Sequence, residues 1–130
     1  MTPRCFTRLQ EVHPDLQRVV LRAEGIYDGE FIVTEGKRTA ARQKELYDAK
    51  ASKTMRSRHV PESNQNGIAC AVDLAVKVGS EVRWDWPLYA RLAVAMKQAA
   101  QEVGAPIEWG GDWRTFKDGP HFQLPWKEYP

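Results

Sequence analysis

The sequence predicts an α+β fold in one compact domain spanning residues 1–130, with a small, mostly antiparallel sheet flanked by helices. Helical segments precede and interrupt the short strand segments, without the regular strand–helix alternation that builds a doubly wound parallel sheet. A chain of 130 residues is large enough to bury one hydrophobic core. The contents of 42% hydrophobic and 28% charged residues are ordinary for a soluble globular protein.

Three segments have the periodicity of helices. Residues 13–25, HPDLQRVVLRAEG, repeat apolar side chains at i, i+3, i+4 and i+7 between an early proline and a closing glycine. Residues 39–52 begin with a threonine that suits an N-cap, and we expect Leu46 and Tyr47 to face inward. Residues 84–104 form the strongest predicted helix, with a continuous apolar stripe between a proline and a glycine.

Four short segments are predicted to be strands. Residues 30–36, EFIVTEG, end in a turn, and residues 68–76, IACAVDLAV, have the small and branched composition of a buried strand. Residues 106–113, PIEWGGDW, enter a glycine turn, and HFQL at 121–124 is the last strand. Residues 51–67 are polar, lack periodicity and carry Pro, Ser, Asn and Gly, so they are predicted to be a loop.

The charge of the chain argues against nucleic acid as a partner. The formal net charge is only +2, which is too small to indicate nucleic-acid binding by itself. The basic run at residues 50–58, KASKTMRSR, has no interleaved aromatic residue. We interpret it as a solvated loop, with attraction to an anionic substrate as the alternative.

Nothing in the hydropathy pattern predicts insertion into a membrane. No apolar run has the length of a spanning helix. Residues 1–17 lack the apolar stretch of a secretion signal. Synthesis in a cytoplasm is therefore expected.

Two of the three histidines, His59 and His121, lie at the edges of predicted loops beside strands, where metal ligands are both rigid and reachable. His13 precedes a proline at a helix start and is interpreted as a capping or surface residue. Asp73 lies in the otherwise apolar AVDLA, where an ionised carboxylate needs a partner. That partner is either a metal ion, with three protein ligands as in catalytic zinc sites, or an arginine or backbone N–H group.

Asp118 lies three residues before His121, in KDGPH. A carboxylate there could accept a proton from water at the same metal and deliver it to a leaving amine. Asp-Gly is also a strong turn signal, and both roles are compatible. Trp113, beside the Gly-Gly turn, is a candidate wall of a substrate cleft, with packing of the core and turn as the alternative.

Three motifs resemble those of one known family, in matching order from about residue 8 to 124. SRH followed by GIACAVDL resembles the Ser-x-His…Gly-x-Ala-x-Asp motif of zinc D,D-carboxypeptidases and L-alanyl-D-glutamate endopeptidases. GGDW…FKDGPHFQL resembles the closing motif of the endopeptidase branch, which includes many phage endolysins, and EGKRTAARQKELY resembles its upstream segment. The resemblance implies a hedgehog/D,D-peptidase-like fold.

The resemblance also implies the roles of individual residues. His59, Asp73 and His121 would hold one zinc ion, and Asp118 would be the catalytic carboxylate. Arg38 matches an arginine that steadies the scissile carbonyl or the developing oxyanion, with a surface salt bridge as the alternative. Ser57 matches a substrate-binding serine near the first ligand, with loop hydrogen bonding as the alternative.

The implied function is a monomeric zinc endopeptidase that cuts the L-alanyl–D-glutamate bond of the peptidoglycan stem peptide. An endolysin of this kind would be made in a phage host's cytoplasm and would reach the cell wall through a holin-type pore. The alternatives are a D-alanyl-D-alanine carboxypeptidase of the same fold and a non-catalytic, zinc-stabilised wall-binding domain. His59 and Asp73 lie further apart than is usual in the family, and we expect the longer loop at residues 60–66 to alter the cleft rim.

Overall fold

The computed structural model describes residues 1–130 and confirms the predicted α+β fold. Four helices and five strands follow one another, together with short 3-10 turns at Pro61–Ser63 and Gly110–Asp112. In chain order they are α1 (Pro3–Leu9), α2 (Pro14–Ile26), β1 (Glu30–Glu35), α3 (Ala40–Asp48), β2 (Ala71–Val78), β3 (Glu81–Arg83), α4 (Trp86–Val103), β4 (Glu108–Trp109) and β5 (His121–Gln123). No helix combines the length and the apolar character that crossing a membrane requires.

The sheet has the order β1-β2-β5-β4, and all of its pairings are antiparallel. The central strand β2 is the longest, and five of its eight residues are buried, as the apolar run in the sequence predicts. β3 forms a tight hairpin with the end of β2. The register brings Asp73 of β2 opposite His121 of β5 on one side and opposite Glu35 of β1 on the other.

The core lies between the sheet and the helices α1, α2 and α4. Leu16 and Val20 of α2 and Leu92 and Met96 of α4 are completely buried, because each helix repeats its apolar residues on one face. The α4 helix ends at Gly104, whose φ of 77° is in the left-handed region that terminates helices. This packing forms a rigid support beneath the sheet.

Two elements were absent from the sequence prediction. The helix α1 has only seven residues, and Thr2 caps it by accepting a hydrogen bond from the Cys5 backbone N–H at 3.2 Å. The strand β3 has three residues, all of them exposed. Neither segment is long enough to establish a period.

The predicted inward face of α3 is wrong. Tyr47 is 45% exposed and Leu46 is only partly buried, whereas Gln43 is completely buried. The side-chain amide of Gln43 donates to Ser52 and Thr54, and its oxygen accepts from Arg38. The helix therefore packs through a polar hydrogen-bond network rather than through an apolar stripe.

None of the residues in the loop at 60–66 lines the cleft, so any effect of this loop on the cleft rim is indirect. The loop lies against the C-terminal segment instead. Asn64 accepts a hydrogen bond from the buried guanidinium of Arg58 at 2.7 Å, and the Asn66 N–H donates to the Pro130 carbonyl. The extra residues thus tie down the end of the chain.

Candidate active site

Three side chains from different parts of the chain meet at one edge of the sheet. His59 comes from the loop after α3, Asp73 from β2 and His121 from β5, and their ligand atoms all lie within 4.8 Å of one another. Asp73 Oδ1 is 3.2 Å from His59 Nε2 and 3.3 Å from His121 Nδ1. The three residues form a group that could hold a metal ion.

The other nitrogen of each imidazole ring determines which tautomer is present. His59 Nδ1 is 2.7 Å from the Gly36 carbonyl oxygen, which can only accept a hydrogen bond, so the proton of a neutral ring lies on Nδ1. His121 Nε2 is 2.8 Å from Gln123 Oε1, which likewise only accepts. In both neutral rings the lone pair therefore faces Asp73.

Lone pairs that converge in this way repel one another unless a proton or a metal ion lies among them. For tetrahedral zinc with nitrogen and oxygen ligands at about 2.0–2.1 Å, neighbouring ligand atoms are roughly 3.3 Å apart. The distances of 3.2 and 3.3 Å to Asp73 Oδ1 match this spacing. Gly36 and Gln123 act as the outer partners that orient metal-bound histidines, so the donor set fits a zinc ion.

The pKa values of the group reflect the same convergence. Burial alone would raise the pKa of Asp73, but the adjacent imidazoles of His121 and His59 outweigh it and hold the pKa well below its usual range. Burial opposes the charged form of His121, yet its bond to Asp73 raises the pKa of the imidazole. Protons and a metal ion compete for these lone pairs, so metal affinity should fall as the pH is lowered.

Asp118 lies beside this group and lines the same cavity. Its backbone N–H donates to the Gly110 carbonyl at 3.0 Å, and its carbonyl accepts from the His121 N–H at 3.3 Å. A Cβ at position 110 would lie 3.0 Å from the Asp118 Cβ and would overlap its carbonyl oxygen, so this close approach requires glycine. Burial raises the pKa of the Asp118 carboxyl.

The Arg38 side chain is only 11% exposed and is held from two sides. It forms an ion pair with Glu35 and donates to Gln43 at 2.7 Å, and a terminal nitrogen lies 3.8 Å from Asp73 Oδ2. The guanidinium donates two hydrogen bonds to Glu35 and one to Gln43, so two of its five N–H groups have no hydrogen-bond acceptor in the protein. A salt bridge is therefore present, but it is largely buried and lies at the cavity rather than on the outer surface.

Ser57 and Trp113 also line the cavity. Ser57 Oγ accepts a hydrogen bond from the His59 backbone N–H at 3.2 Å, so the serine shapes the loop that carries the first histidine. The Trp113 ring centroid is 5.2 Å from that of His121. Trp109 instead belongs to the core, where its indole N–H donates to the Gly119 carbonyl.

The cavity has a volume of about 770 Å³ and opens to solvent. Sequence reasoning missed three of the residues that organise it: Gly36, Gly110 and Gln123. Gln123 was detectable in principle, because residues two apart on a strand share a face. The two glycines act through a backbone carbonyl and through the absence of a side chain, which no motif for catalytic side chains reveals.

The fold resembles those of two solved peptidases. The structure of the Serratia marcescens L-Ala D-Glu endopeptidase ChiX matches with a TM-score of 0.89 and 45% identity, covering 100% of this chain and 92% of that one. The vancomycin-resistance D,D-dipeptidase VanXYg matches with a TM-score of 0.54 and 17% identity over 87% of this chain and 50% of that one. The second likeness concerns the fold alone.

Residues 1–124 match the model of the phage L-alanyl-D-glutamate peptidase family. The chain belongs to this family, which confirms the resemblance seen in its motifs. The L-alanyl-D-glutamate peptidase of Listeria phage A118 is 35% identical over 77% of this chain, and the chain spans 32% of that relative's length. The L-alanyl-D-glutamate peptidase of Escherichia phage T5 is 26% identical over 85% of this chain and 79% of its own length. The Bacillus subtilis endopeptidase CwlK is 31% identical over 88% and 74%, respectively.

Proposed function

We propose that this chain is a zinc-dependent endopeptidase that cuts the L-alanyl–D-glutamate bond of the peptidoglycan stem peptide. The observation that carries the proposal is the convergence of three potential metal-ligand atoms beside a half-buried carboxylate in an open cavity. Membership of the peptidase family and the likeness to ChiX over the whole chain support the choice of bond.

In this proposal His59, Asp73 and His121 hold one zinc ion. When bound, zinc supplies Lewis-acid polarisation of the scissile carbonyl and lowers the pKa of the attacking water. The Gly36 carbonyl and the Gln123 side chain keep both imidazole rings in the tautomer that binds metal.

Asp118 is the proposed acid–base group. Its carboxylate accepts the proton of the attacking water and then returns a proton to the departing amine of the glutamyl residue. The pKa raised by burial favours this role, because a carboxylate with an ordinary pKa is a poor proton donor near neutral pH.

Arg38, Ser57 and Trp113 complete the proposed site. The two unused N–H donors of Arg38 would stabilise negative charge that develops on the carbonyl oxygen. Ser57 and Trp113 would contact the peptide, since both line the cavity next to the histidines. The protein would act as a monomer on the wall of a bacterial host, after synthesis in the host cytoplasm and release through a holin-type pore.

The test is mass spectrometry of the fragments released from purified Gram-negative sacculi, with and without a chelator. Release of stem peptides that begin at D-glutamate, lost on chelation and restored by zinc, is the expected result. Loss of terminal D-alanine alone would instead identify a carboxypeptidase. No product from folded, zinc-loaded protein would leave a wall-binding domain as the explanation.

A pair of variants isolates the role of Asp118. Asp118→Asn should abolish turnover while one zinc ion per chain is retained. Asp112→Asn is the matched control, because Asp112 is an aspartate in the nearby turn Gly110–Asp112 that pairs with Lys97 on the surface. Normal activity of Asp118→Asn would refute the assignment of the proton-transfer group.

A further inference from the structure

The cations that line the cavity fall into two groups. Arg38 forms an ion pair with Glu35, Arg58 donates to backbone carbonyls, and Arg42 pairs with Glu45 at 3.0 Å. Lys53, Arg56 and Lys117 also line the cavity but form no ion pair with any carboxylate of the chain. We call these three residues the cationic rim.

Each member of the rim is held against a neutral group, so its charge stays uncompensated. Lys53 Nζ lies 5.2 Å from the Phe116 ring centroid, and the Arg56 guanidinium carbon lies 4.1 Å from that of Trp126. Lys117 Nζ donates to the Gly111 carbonyl at 3.3 Å. Cation–π contacts and carbonyl bonds position a cation without neutralising it.

The position of Arg56 is the best supported of the three. Arg58 is buried and donates to the Leu124 carbonyl at 2.9 Å, and its guanidinium carbon also lies 4.1 Å from the Trp126 ring centroid. Trp126 is thus fixed by Arg58 and in turn carries Arg56 at the cavity wall.

The lining of the cavity is positive overall. Six arginine and lysine side chains face four aspartate and glutamate side chains there, an excess of two positive charges that a divalent ion would increase. The net charge of the whole chain is also +2, so the excess is concentrated at the cavity. A cleft lined by one sign of charge attracts ligands of the opposite sign.

The proposed substrate carries its negative charge on one side of the scissile bond. Alanine, on the acyl side, has only a methyl side chain. Glutamate has two carboxyl groups. One forms the amide bond to the next residue, and the other is free. The peptide also ends in a carboxylate, and both charges therefore lie on the amine side of the bond.

From these observations we infer that Lys53, Arg56 and Lys117 form a carboxylate-binding rim that selects stem peptides with free carboxylates on the glutamyl side of the scissile bond. This inference rests on the proposed function and extends it to the charge state of the substrate. Peptides in which the rim-bound carboxylate is amidated are then poorer substrates than those in which it is free.

The experiment uses three synthetic stem peptides: one with both carboxylates free, one amidated at the glutamyl carboxyl and one amidated at the C-terminus. The zinc-loaded wild type should lose roughly three- to tenfold in kcat/KM, mainly through KM, on the peptide whose rim-bound carboxylate is amidated. The two amidated peptides show which carboxylate is bound. The preference should shrink as ionic strength rises.

The rim variants are Lys53→Gln, Arg56→Gln and Lys117→Gln, and the matched controls are Lys77→Gln and Arg83→Gln, which lie outside the cavity. Rim variants should slow cleavage of the fully free peptide and lose the preference for it, whereas the controls should keep the wild-type preference. Equal cleavage of all three peptides by the wild type would overturn the inference. So would rim variants that slow all three peptides alike.

Failure of the proposed function is distinguishable from failure of this inference. If folded, zinc-loaded protein cleaves none of the peptides between alanine and glutamate, both fall. If it cleaves all of them there at the same rate, whatever the salt concentration, only the rim assignment falls.

Discussion

Replacing Gly36 with alanine should weaken metal binding from a distance. The Gly36 carbonyl accepts the hydrogen bond of His59 Nδ1 at 2.7 Å and so fixes the ring that faces Asp73. A Cβ at position 36 would lie 2.6 Å from the Arg8 carbonyl oxygen and 2.9 Å from Val12 Cγ1. Real Cβ atoms stay at least 3.0 Å from such neighbours, so the backbone must move by about 0.4 Å or more.

The expected magnitude follows from the hydrogen bond that this shift disturbs. Loss of an outer partner of a metal-bound histidine typically costs about 10–100-fold in metal affinity, and we expect about tenfold here because the carbonyl is displaced rather than removed. The free energy of unfolding should also fall by about 1–3 kcal/mol. Activity should be lost at limiting zinc and largely restored at saturating zinc.

The assay is competition with a chromophoric chelator, combined with chemical denaturation. Gly25→Ala is the matched control, since a Cβ there meets only the flexible Arg22 side chain at 3.4 Å. It should leave zinc affinity unchanged and stability equal or slightly higher. An unchanged zinc dissociation constant for folded Gly36→Ala would refute the idea that this carbonyl orients a metal ligand.

Three further outcomes are expected. Gln123→Leu should weaken zinc binding by about 10–100-fold in the same chelator assay, while Gln123→Glu retains an acceptor and should restore it; equal affinities would contradict the tautomer argument. Arg58→Met should lower the free energy of unfolding in urea by about 2–4 kcal/mol, because buried carbonyls lose their donor; a change below about 0.5 kcal/mol would contradict this role for Arg58. Burial, together with the hydrogen bond to Asp15, raises the pKa of Tyr129 to about 12. The contribution of Tyr129 to the stability of the fold should therefore be complete below about pH 10, the pKa of tyrosine in the unfolded chain. It should be lost as the pH rises through the folded pKa of about 12. Tyr129→Phe should remove this alkaline dependence of the melting temperature, and an unaltered profile would contradict the assignment.

The fold was predictable where a helical repeat of apolar residues extends over several turns, or where a long apolar run indicates a buried strand. The helix α4 and the strand β2 were recognised on that basis. The short elements α1 and β3 depend on a single cap and on pairing with β2, which only the folded chain provides. The inward face of α3 was predicted incorrectly because a buried glutamine replaced the expected apolar residues.

The side chains of the candidate site could be predicted from the sequence, but its backbone contacts could not. Motif order drew attention to His59, Asp73 and His121, and the pairing of β2 with β5 brings the last two opposite each other. Their role as metal ligands stays a prediction. The carbonyl of Gly36 could not be foreseen, because every residue carries such an acceptor and only the packing against α1 selects this one.

The separation between the strands that carry Asp73 and His121 and the loops that carry the cationic rim has an evolutionary consequence. Substitutions in the segments 49–56 and 114–117 need not disturb the pairing of the central strands, since loops tolerate variation better than the elements that support them. A lineage could therefore follow changes in the wall chemistry of its hosts through loop mutations alone. The residues proposed to break the peptide bond would then be retained while the range of substrates diverges.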